Sequence, residues 1–466
     1  MALDAEERPS QPITKFESML KTDDVYFFDS EDFEDIIHHY LNNGKISLAK
    51  KAIKIGLQQH PNAIELKLLH VEVLVFEDKL EAAQNLLDEL QIIDNSNEEI
   101  YIQRANIFSK KNNHPEAVKL LEKALDLTDD AFDIYSLLGM EYLFMDDFEM
   151  AKKSFMKCVD FDDEDYASLY NVVYCFEFLE DHDGAILYLN DYLEENPYCE
   201  VAWHQLGKQY YYKKMYKEAL TAYDFAIISD DTFLGAYFEK GKVLEKQGKF
   251  NEAIENYETT ISIEDPTSHA YLRIGKCHEK LGNTEIAKKF FYQTVHEDPQ
   301  LDKGWLAITD LYFRLGNFKK AEHYIKKALT IDEENPQYWK KSGKINLELH
   351  KKEEAEYAFK QAVEFGNYDL DTWLLWADLN IENKEYHAAI EILLQARIFH
   401  TDEATILYQL SGLYSLVHNS ERAKILLAEA IILDADGLPD FKIAYPIFCE
   451  TEWMKMIFEE YKKTSK

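Results

Sequence analysis

Residues with the chemistry for catalysis or ion binding are present, but their spacing does not assemble a reactive site. The stretch GAYFEKGKV, at positions 235–243, is close to a phosphate-binding loop. Its spacing is one residue too long, and Val243 stands where a serine or threonine would coordinate magnesium. The fifteen histidines follow no metal-ligand spacing, and the adjacent His38 and His39 point to different faces of a predicted helix. We therefore predict no catalytic residue, no metal ion and no cofactor, and we expect that the protein is not an enzyme.

The composition indicates a folded and strongly acidic protein. Hydrophobic residues make up 46% of the 466 positions, and 87 acidic against 51 basic residues give a formal charge of −36. Such a charge opposes general affinity for nucleic acid phosphates and for anionic membrane surfaces. No run approaches the roughly 18 apolar residues of a membrane span, and the acidic start lacks the pattern of a signal peptide. We therefore expect no nucleic acid partner and no membrane insertion. Because the five cysteines have no paired spacing, we also expect reduced thiols and a cytoplasmic protein.

A repeat of 34 residues organises most of the chain. Alanine recurs at this interval without exception or insertion. The column consists of Ala49, Ala83, Ala117, Ala151, Ala185, Ala219, Ala253, Ala287, Ala321, Ala355, Ala389 and Ala423. A second column, to which Gly207 belongs, holds Gly, Ala or Ser at eight of its twelve positions. Twelve back-to-back repeats are therefore predicted between residues 30 and 437.

Each repeat is predicted to form two helices. In the first helix, large apolar residues recur at helical spacing, as in Trp203, Leu206 and Tyr210. A short turn follows, and the second helix carries the constant alanine with an apolar residue four positions later. Small side chains at two fixed positions indicate that the two helices cross closely. Because a single hairpin cannot bury its apolar stripe, neighbouring hairpins must stack into an all-α solenoid.

The pattern W-x2-L-G-x2-Y followed by A-x3-Y resembles the signature of the tetratricopeptide repeat (TPR) family, and residues 203–223 match it almost residue for residue. The resemblance implies a right-handed superhelix of helical hairpins whose first helices line a concave channel. Residues 1–29 are predicted as a partly disordered tail in which residues 25–28 pack over the first repeat. Residues 438–466 are predicted as a capping helix, with Trp453, Ile457 and Tyr461 at helical spacing.

The face that the resemblance assigns to the channel changes along the chain. In the first five repeats it is acidic, with residues such as Glu72 and Glu99, whereas from the sixth to the tenth repeat lysines accumulate on it. An apolar and aromatic patch, which includes Met140, Leu143 and Phe144, lies between the two zones. The residues predicted to line the partner-binding groove are Tyr170, Tyr174, Phe178, His204, Lys208, Tyr211, Tyr212, Phe238, Lys242, Lys246, Lys276, Lys280, Lys340 and Lys344.

Exposed aromatic rings beside cations suit an extended peptide that is acidic and apolar. We therefore expect a non-enzymatic interaction scaffold that binds a protein or peptide in this groove and is monomeric alone. The residues at the positions of Tyr211 and Lys246 are also common defaults in the family, so default composition is a competing explanation of the pattern. The alternative functions are a self-assembling structural solenoid and an enzyme with an unrecognised site. An RNA-binding solenoid would need a continuous basic stripe, which the acidic first half contradicts.

Overall fold

The computed structural model describes residues 11–22, 26–263, 267–446 and 451–457, and these residues form helices joined by turns, without a β-strand. Residues 1–10, Val25 and Tyr461, for which the sequence analysis makes predictions, lie outside the described residues. The chain divides into two compact units, Met1–Ala236 and Tyr237–Lys466. We name the first helix of each repeat helix A and the second helix B.

The first unit begins with α1 (Gln11–Thr22), which precedes six pairs of A and B helices. The pairs are α2 (Ser30–Asn42) and α3 (Ile46–Gln59), α4 (Ile64–Phe76) and α5 (Leu80–Ile93), α6 (Glu98–Lys110) and α7 (His114–Leu125), α8 (Phe132–Phe144) and α9 (Phe148–Phe161), α10 (Tyr166–Phe178) and α11 (His182–Glu195), and α12 (Glu200–Tyr212) and α13 (Tyr216–Ser229).

Helix α14 (Leu234–Lys246) contains the division between the units, and the second unit continues the alternation of A and B helices. They are α15 (Phe250–Ile263), α16 (Ser268–Lys280), α17 (Thr284–Glu297), α18 (Asp302–Arg314), α19 (Phe318–Ile331), α20 (Pro336–Glu348), α21 (Lys352–Glu364), α22 (Leu370–Glu382), α23 (Tyr386–Phe399), α24 (Ala404–Leu416) and α25 (Ser420–Leu433). A short helix α26 (Leu438–Ala444) follows, and residues 452–457 are also helical. This order confirms the predicted all-α fold of tandem helical pairs.

Close contact between helix A and helix B explains why two positions of the repeat hold small residues. All twelve alanines of the constant column are fully buried. A Cβ added to Gly207 would lie 2.5 Å from the ring of Tyr223, well inside van der Waals contact. Four further glycines face a ring in the same way, in the pairs Gly139–Phe155, Gly241–Tyr257, Gly275–Phe291 and Gly343–Phe359. In the seven repeats with a larger residue in the glycine column, the facing residue is Ile or Leu, as in Val173 and Leu189. The volume at this crossing is therefore shared between the two helices.

The turn between helix A and helix B has one geometry throughout. At Lys214 φ is 60°, in the left-handed region. The N–H of Lys214 donates to the carbonyl of Tyr211 at 2.9 Å, and the N–H of Met215 donates to that of Tyr210 at 2.8 Å, which is the Schellman pattern of helix termination. Glycine occupies the same position in four repeats, as Gly44, Gly248, Gly282 and Gly316, whereas the other eight repeats place a residue with a side chain there.

Helix α1 covers the first repeat. Phe16 is fully buried, and its ring centroid lies 6.0 Å from that of Phe28 and 6.3 Å from that of Phe33. Ile13, Phe16 and Met19 are spaced three residues apart and form the buried side of the helix. The tail therefore contains a helix that the sequence analysis does not predict, because only the contact with the first repeat makes this short apolar stripe stable.

The C-terminal segment covers the last repeat. Met454 is fully buried, and Trp453 and Ile457 pack against the apolar core of the last repeats. The ring of Tyr445 lies over Gly412, where an added Cβ would fall 2.2 Å from it. Among the described residues, 438–444 and 452–457 are helical, and both ranges lie within the segment that the sequence analysis predicts as a capping helix.

Candidate protein-binding surface

A cleft on the A helices of the first unit brings several of the predicted groove residues together. Helices α8, α10 and α12 contribute its lining, and its volume is about 370 Å³. The lining includes Met140, Leu143, Tyr170, Tyr174 and Lys208. Both tyrosines remain exposed to solvent, although burial in the cleft raises the pKa of Tyr170. Exposed apolar surface of this kind on two neighbouring A helices is characteristic of a binding surface.

Three stacked pairs of aromatic side chains, which we call the aromatic ladder, follow the same A helices. The ring centroids are 5.1 Å apart in His114–Phe144, 4.6 Å apart in Phe148–Phe178 and 5.3 Å apart in His182–Tyr212. Each pair joins the first residue of a B helix to the last residue of the next A helix. The A-helix rings keep 58%, 55% and 49% of their surface exposed, in chain order. The ladder adjoins the cleft because the Phe178 ring lies 4.6 Å from that of Tyr174.

Lys208 reaches the cleft with its charge already compensated. Its Nζ lies 3.5 Å from Glu177 Oε1, on the preceding A helix, and donates to Gln205 Oε1 at 3.3 Å. Gln209 Nε2 donates to the same Glu177 oxygen at 2.8 Å, while Gln209 Oε1 accepts from His182 Nδ1 at 2.8 Å. The network fixes Lys208 at the edge of the cleft and ties it to the ladder through His182.

The structure separates the aromatic residues of α12 into different environments. Tyr212 is exposed in the ladder, and Tyr211 is half-buried, with its ring 5.9 Å from that of Tyr216. His204 does not line the open groove, although the sequence analysis predicts that it does. Its ring lies 5.3 Å from Phe233 and 5.9 Å from Tyr223, and both ring nitrogens are buried. It is therefore a packing residue between helices and not part of the open surface.

In the second unit, several of the predicted groove lysines have carboxylate partners. Lys242 pairs with Glu239 on its own helix at 2.7 Å. Lys344 pairs with Asp371 at 2.6 Å, and this contact holds the pKa of Asp371 below its usual range. Lys340 lies 3.1 Å from Asp369 and 3.3 Å from Asp371. Phe238 is half-buried against the ring of Tyr257, with the centroids 5.4 Å apart. These side chains offer less free charge and less open apolar surface than the sequence analysis predicts.

Lys276 has a different environment from these paired lysines. Its side chain is exposed, and among the described residues no ion pair within 4.0 Å involves it. Its pKa is lowered, first because surrounding protein displaces water from the ammonium group, and then because Arg273 and Lys303 repel it, whereas the charges of Glu245 and Asp310 oppose the shift. We refer to Lys276 and the charged groups around it as the Lys276 recess. Arg273 itself pairs with Glu245, with its Nη1 3.4 Å from Glu245 Oε2. Lys246 and Lys280 are also exposed.

The acidic residues predicted for the first repeats repel one another across neighbouring A helices. Burial raises the pKa of Glu34, and the charges of Glu65 and Glu31 raise it further. Burial likewise raises the pKa of Glu99, with the charge of Glu72 acting in the same direction, while a hydrogen bond from Gln103 opposes the shift. The acidic zone is therefore a property of the folded surface and not only of the composition.

Comparison with known proteins identifies the repeat. A family model described as "Tetratricopeptide repeat" matches residues 98–130 and 132–165, which coincide with the third and fourth repeats of the 34-residue period. The chain contains tetratricopeptide repeats. A second family model, described as "Cilia and flagella-associated protein 70 C-terminal domain", matches residues 231–369 of this TPR chain.

Relatives and solved structures cover different parts of the TPR chain. It is 32% identical over 141 residues to Anaphase-promoting complex subunit 3 of Schizosaccharomyces pombe, which is 30% of this chain and 21% of that protein, so the match spans about a fifth of the relative's length. The APC/C hetero-tetramer Cut9–Hcn1 has a TM-score of 0.41 and 15% identity, covering 86% of this chain and 92% of that one. A tetratricopeptide repeat protein from Parabacteroides merdae has a TM-score of 0.38 and 17% identity, covering 61% and 99%.

The sequence analysis misses the B-helix partners of the aromatic ladder, because it follows the A helices of the TPR units alone. The signal is nevertheless present, since His114, Phe148 and His182 are 34 residues apart and each begins a B helix. A column of rings at the first position of helix B, read together with the column at the last position of helix A, would predict the stacked pairs.

Other reactive groups of the TPR chain are enclosed or dispersed. The four cysteines of the described ranges are buried, and burial raises the pKa of Cys175 to about 11 and that of Cys277 to about 12, so their thiols are unreactive. In the same ranges, no cluster of three or more His, Cys, Asp or Glu side chains has the arrangement of a metal site. None of the helices there has both the length and the apolar character needed to cross a membrane.

Proposed function

We propose that this TPR protein is a non-enzymatic interaction scaffold that holds an extended segment of a partner protein on its A helices. The cleft of the first unit carries the proposal, because it leaves tyrosine rings of α10 and the apolar side chain of Met140 on α8 in water. Burying such rings supplies much of the free energy of protein association, and tyrosine is enriched at the positions that contribute most. The related S. pombe protein is, by its name, a subunit of a complex, which agrees with an interaction role.

The preferred partner segment carries aromatic or apolar side chains and carboxylates. An apolar side chain fills the cleft against Tyr170 and Tyr174, and Glu177 holds Lys208 at the edge of that cleft. In the second unit, a carboxylate of the partner segment pairs with Lys276, which has no ion pair within 4.0 Å among the described residues. We further propose that the protein is cytoplasmic and monomeric when no partner is bound.

The test uses peptides selected from a random library on the immobilised full chain, with affinities then measured by fluorescence anisotropy. Tyr174→Ala is expected to weaken the selected peptides about tenfold, because it removes a central ring of the cleft. Tyr198→Ala is the matched control, since Tyr198 is exposed in the turn that precedes α12 and lies outside the cleft. Equal affinities for the wild-type chain and the Tyr174 variant would contradict the proposal.

The charged surface is tested with the same peptides. Lys276→Glu is expected to weaken the acidic peptides and to reduce the dependence of their affinity on salt. Lys289→Glu makes the same change of charge on helix B of that repeat, where Lys289 is exposed, and should leave affinity unchanged. If both variants lose affinity equally, the effect comes from net charge and not from the recess.

A further inference from the structure

Helix α20 departs from the repeat pattern at two positions that pack between helices elsewhere. Its sequence reads W-K-K-S-G-K-I-N, so that Ser342 and Asn346 stand where the sixth repeat has Leu206 and Tyr210. Leu206 is buried, and Tyr210 packs partly buried against the same core. Replacing both kinds of side chain with small polar ones removes much of the volume that fills this position in the repeat.

The missing volume enlarges a pocket that the sixth repeat also has at this position, with a volume there of about 330 Å³. The cavity in the second unit has a volume of about 800 Å³, and helices α19, α20 and α21 line it. Ser342 and Asn346 are both buried and form its deepest part, whereas Tyr357 is exposed at its opening. A cavity of this size lies in the range of small-molecule and side-chain binding sites.

The deepest part of the cavity holds an unused hydrogen-bond acceptor. Asn346 Nδ2 lies 3.5 Å from Ser342 Oγ, but Asn346 Oδ1 is buried without a hydrogen-bond partner among the described residues. An unsatisfied buried carbonyl oxygen costs about 1–3 kcal/mol, so such atoms are rarely left without a donor. The arrangement therefore favours a ligand that brings N–H groups to the floor of the cavity.

The walls of the cavity favour a cation with a flat face. The rings of Trp339 and Tyr357 meet edge to face, with centroids 5.7 Å apart, and a hydrogen bond of 2.7 Å from Trp339 Nε1 to the carbonyl of Glu333 fixes the indole. The carboxylates of Glu353 and Glu354 also line the cavity, and both residues are exposed.

The balance of charge in the lining is negative. Its one cation, Lys326, pairs with Glu322 at 2.7 Å, and Glu322 also receives Lys351 at 2.7 Å. The charges of Glu333, Glu353 and Glu354 therefore have no cation to balance them within the lining.

We propose that this cavity binds a guanidinium group, as carried by arginine. A guanidinium ion stacks on an indole ring and has several N–H donors in one plane. Because it is weakly hydrated, it enters a buried site more readily than an ammonium ion does. One edge donates to Asn346 Oδ1 and Ser342 Oγ, while the charge is balanced by the carboxylates of the lining. The site is separate from the cleft and from the Lys276 recess, and it does not depend on the function proposed for them.

The proposal is tested by isothermal titration of the full chain with Nα-acetyl-arginine amide, which imitates an arginine within a peptide, and with free arginine. The matching citrulline compounds have the same shape without the charge. Binding of an arginine compound at least tenfold tighter than its citrulline counterpart supports the proposal. Tighter binding of the capped compound identifies a peptide as the source of the group, and tighter binding of free arginine identifies the amino acid.

Variants locate the binding. Ser342→Leu/Asn346→Tyr restores the pair found in the sixth repeat, where the equivalent pocket has a volume of about 330 Å³. It narrows the cavity, removes the amide acceptor and should weaken binding at least tenfold while the helical circular dichroism is retained. Glu353→Gln/Glu354→Gln keeps the cavity and should weaken binding about two- to fivefold. Glu285→Gln, at the equivalent position two repeats earlier, is the control and should bind as the wild type does. The proposal is wrong if the wild-type chain binds no arginine compound, if citrulline binds equally well, or if neither of the two double variants changes the affinity.

Discussion

At Gly207 the ring of Tyr223 occupies the space in which a side chain would begin. Five repeats use this glycine–ring combination, and seven use a larger residue facing Ile or Leu. The two positions lie on different helices, 16 residues apart, so their agreement in every repeat reflects direct contact between side chains. The size of the residue at each of these two positions therefore depends on the residue it contacts and not on the helix that contains it.

We predict that Gly207→Ala lowers the free energy of unfolding by about 1–3 kcal/mol, because the new methyl group overlaps the Tyr223 ring. Tyr223→Leu alone is also expected to destabilise, since it leaves a space. The double variant should lose less than the sum of the two, because leucine leaves room for the methyl group, as it does beside Val173. Urea unfolding monitored by circular dichroism measures the coupling.

Combining Gly207→Ala with Phe155→Leu, two repeats earlier, is the control and should give additive losses. Additive losses for Gly207→Ala with Tyr223→Leu would show that the contact does not govern the pairing.

At the scale of the helices, the turn that ends each A helix determines how the next B helix begins. All twelve repeats place a residue with positive φ at this turn, but only four place glycine there. A residue with a Cβ is strained in the left-handed region, by roughly 1 kcal/mol or more. Glu180, Lys214 and Lys384 therefore keep a conformation that residues of their types disfavour, which indicates that the packing of the helix pair imposes it.

We predict that Lys214→Gly raises the free energy of unfolding by about 0.5–1 kcal/mol, because glycine adopts a φ of 60° without strain. Lys214→Ala removes the same long side chain but keeps the Cβ, and it should give no comparable gain. Thermal and urea unfolding of the three chains measure the difference. A gain in the alanine variant equal to that in the glycine variant would assign the effect to the lysine side chain and contradict the backbone explanation.

At the scale of the whole molecule, helical segments outside the repeats cover both terminal repeats. Phe16 of α1 is fully buried at the first repeat, and Met454 is fully buried at the last. A repeat array needs such covering because a terminal repeat otherwise exposes the apolar face that its next neighbour would bury. These contacts favour a solitary chain over end-to-end stacking.

We predict that size-exclusion chromatography with light scattering gives a mass near 54.6 kDa, that of one chain. Phe16→Asp should detach α1 and produce larger species, because the apolar face of the first repeat becomes exposed. Phe27→Asp is the control, since Phe27 is exposed and close to Phe16 in the sequence, and this variant should remain a monomer. Larger species of the wild-type chain at micromolar concentration would favour the self-assembling solenoid instead.

The sequence by itself determined the period, the order of helices and the two close-packed columns. These follow from local spacing, because helical periodicity and a 34-residue recurrence need no knowledge of distant contacts. It also identified Tyr170, Tyr174 and Lys208, which meet in one cleft.

The tertiary structure alone decided the environment of each side chain. It turned His204 into a packing residue, gave Lys208 a partner in Glu177, stacked the aromatic ladder and opened the cavity above Asn346. These outcomes depend on which residues of neighbouring repeats come into contact. Residues about one repeat apart in the sequence become neighbours only when the helices pack, and small differences in side-chain volume and charge then decide whether a side chain is buried, paired or open to solvent.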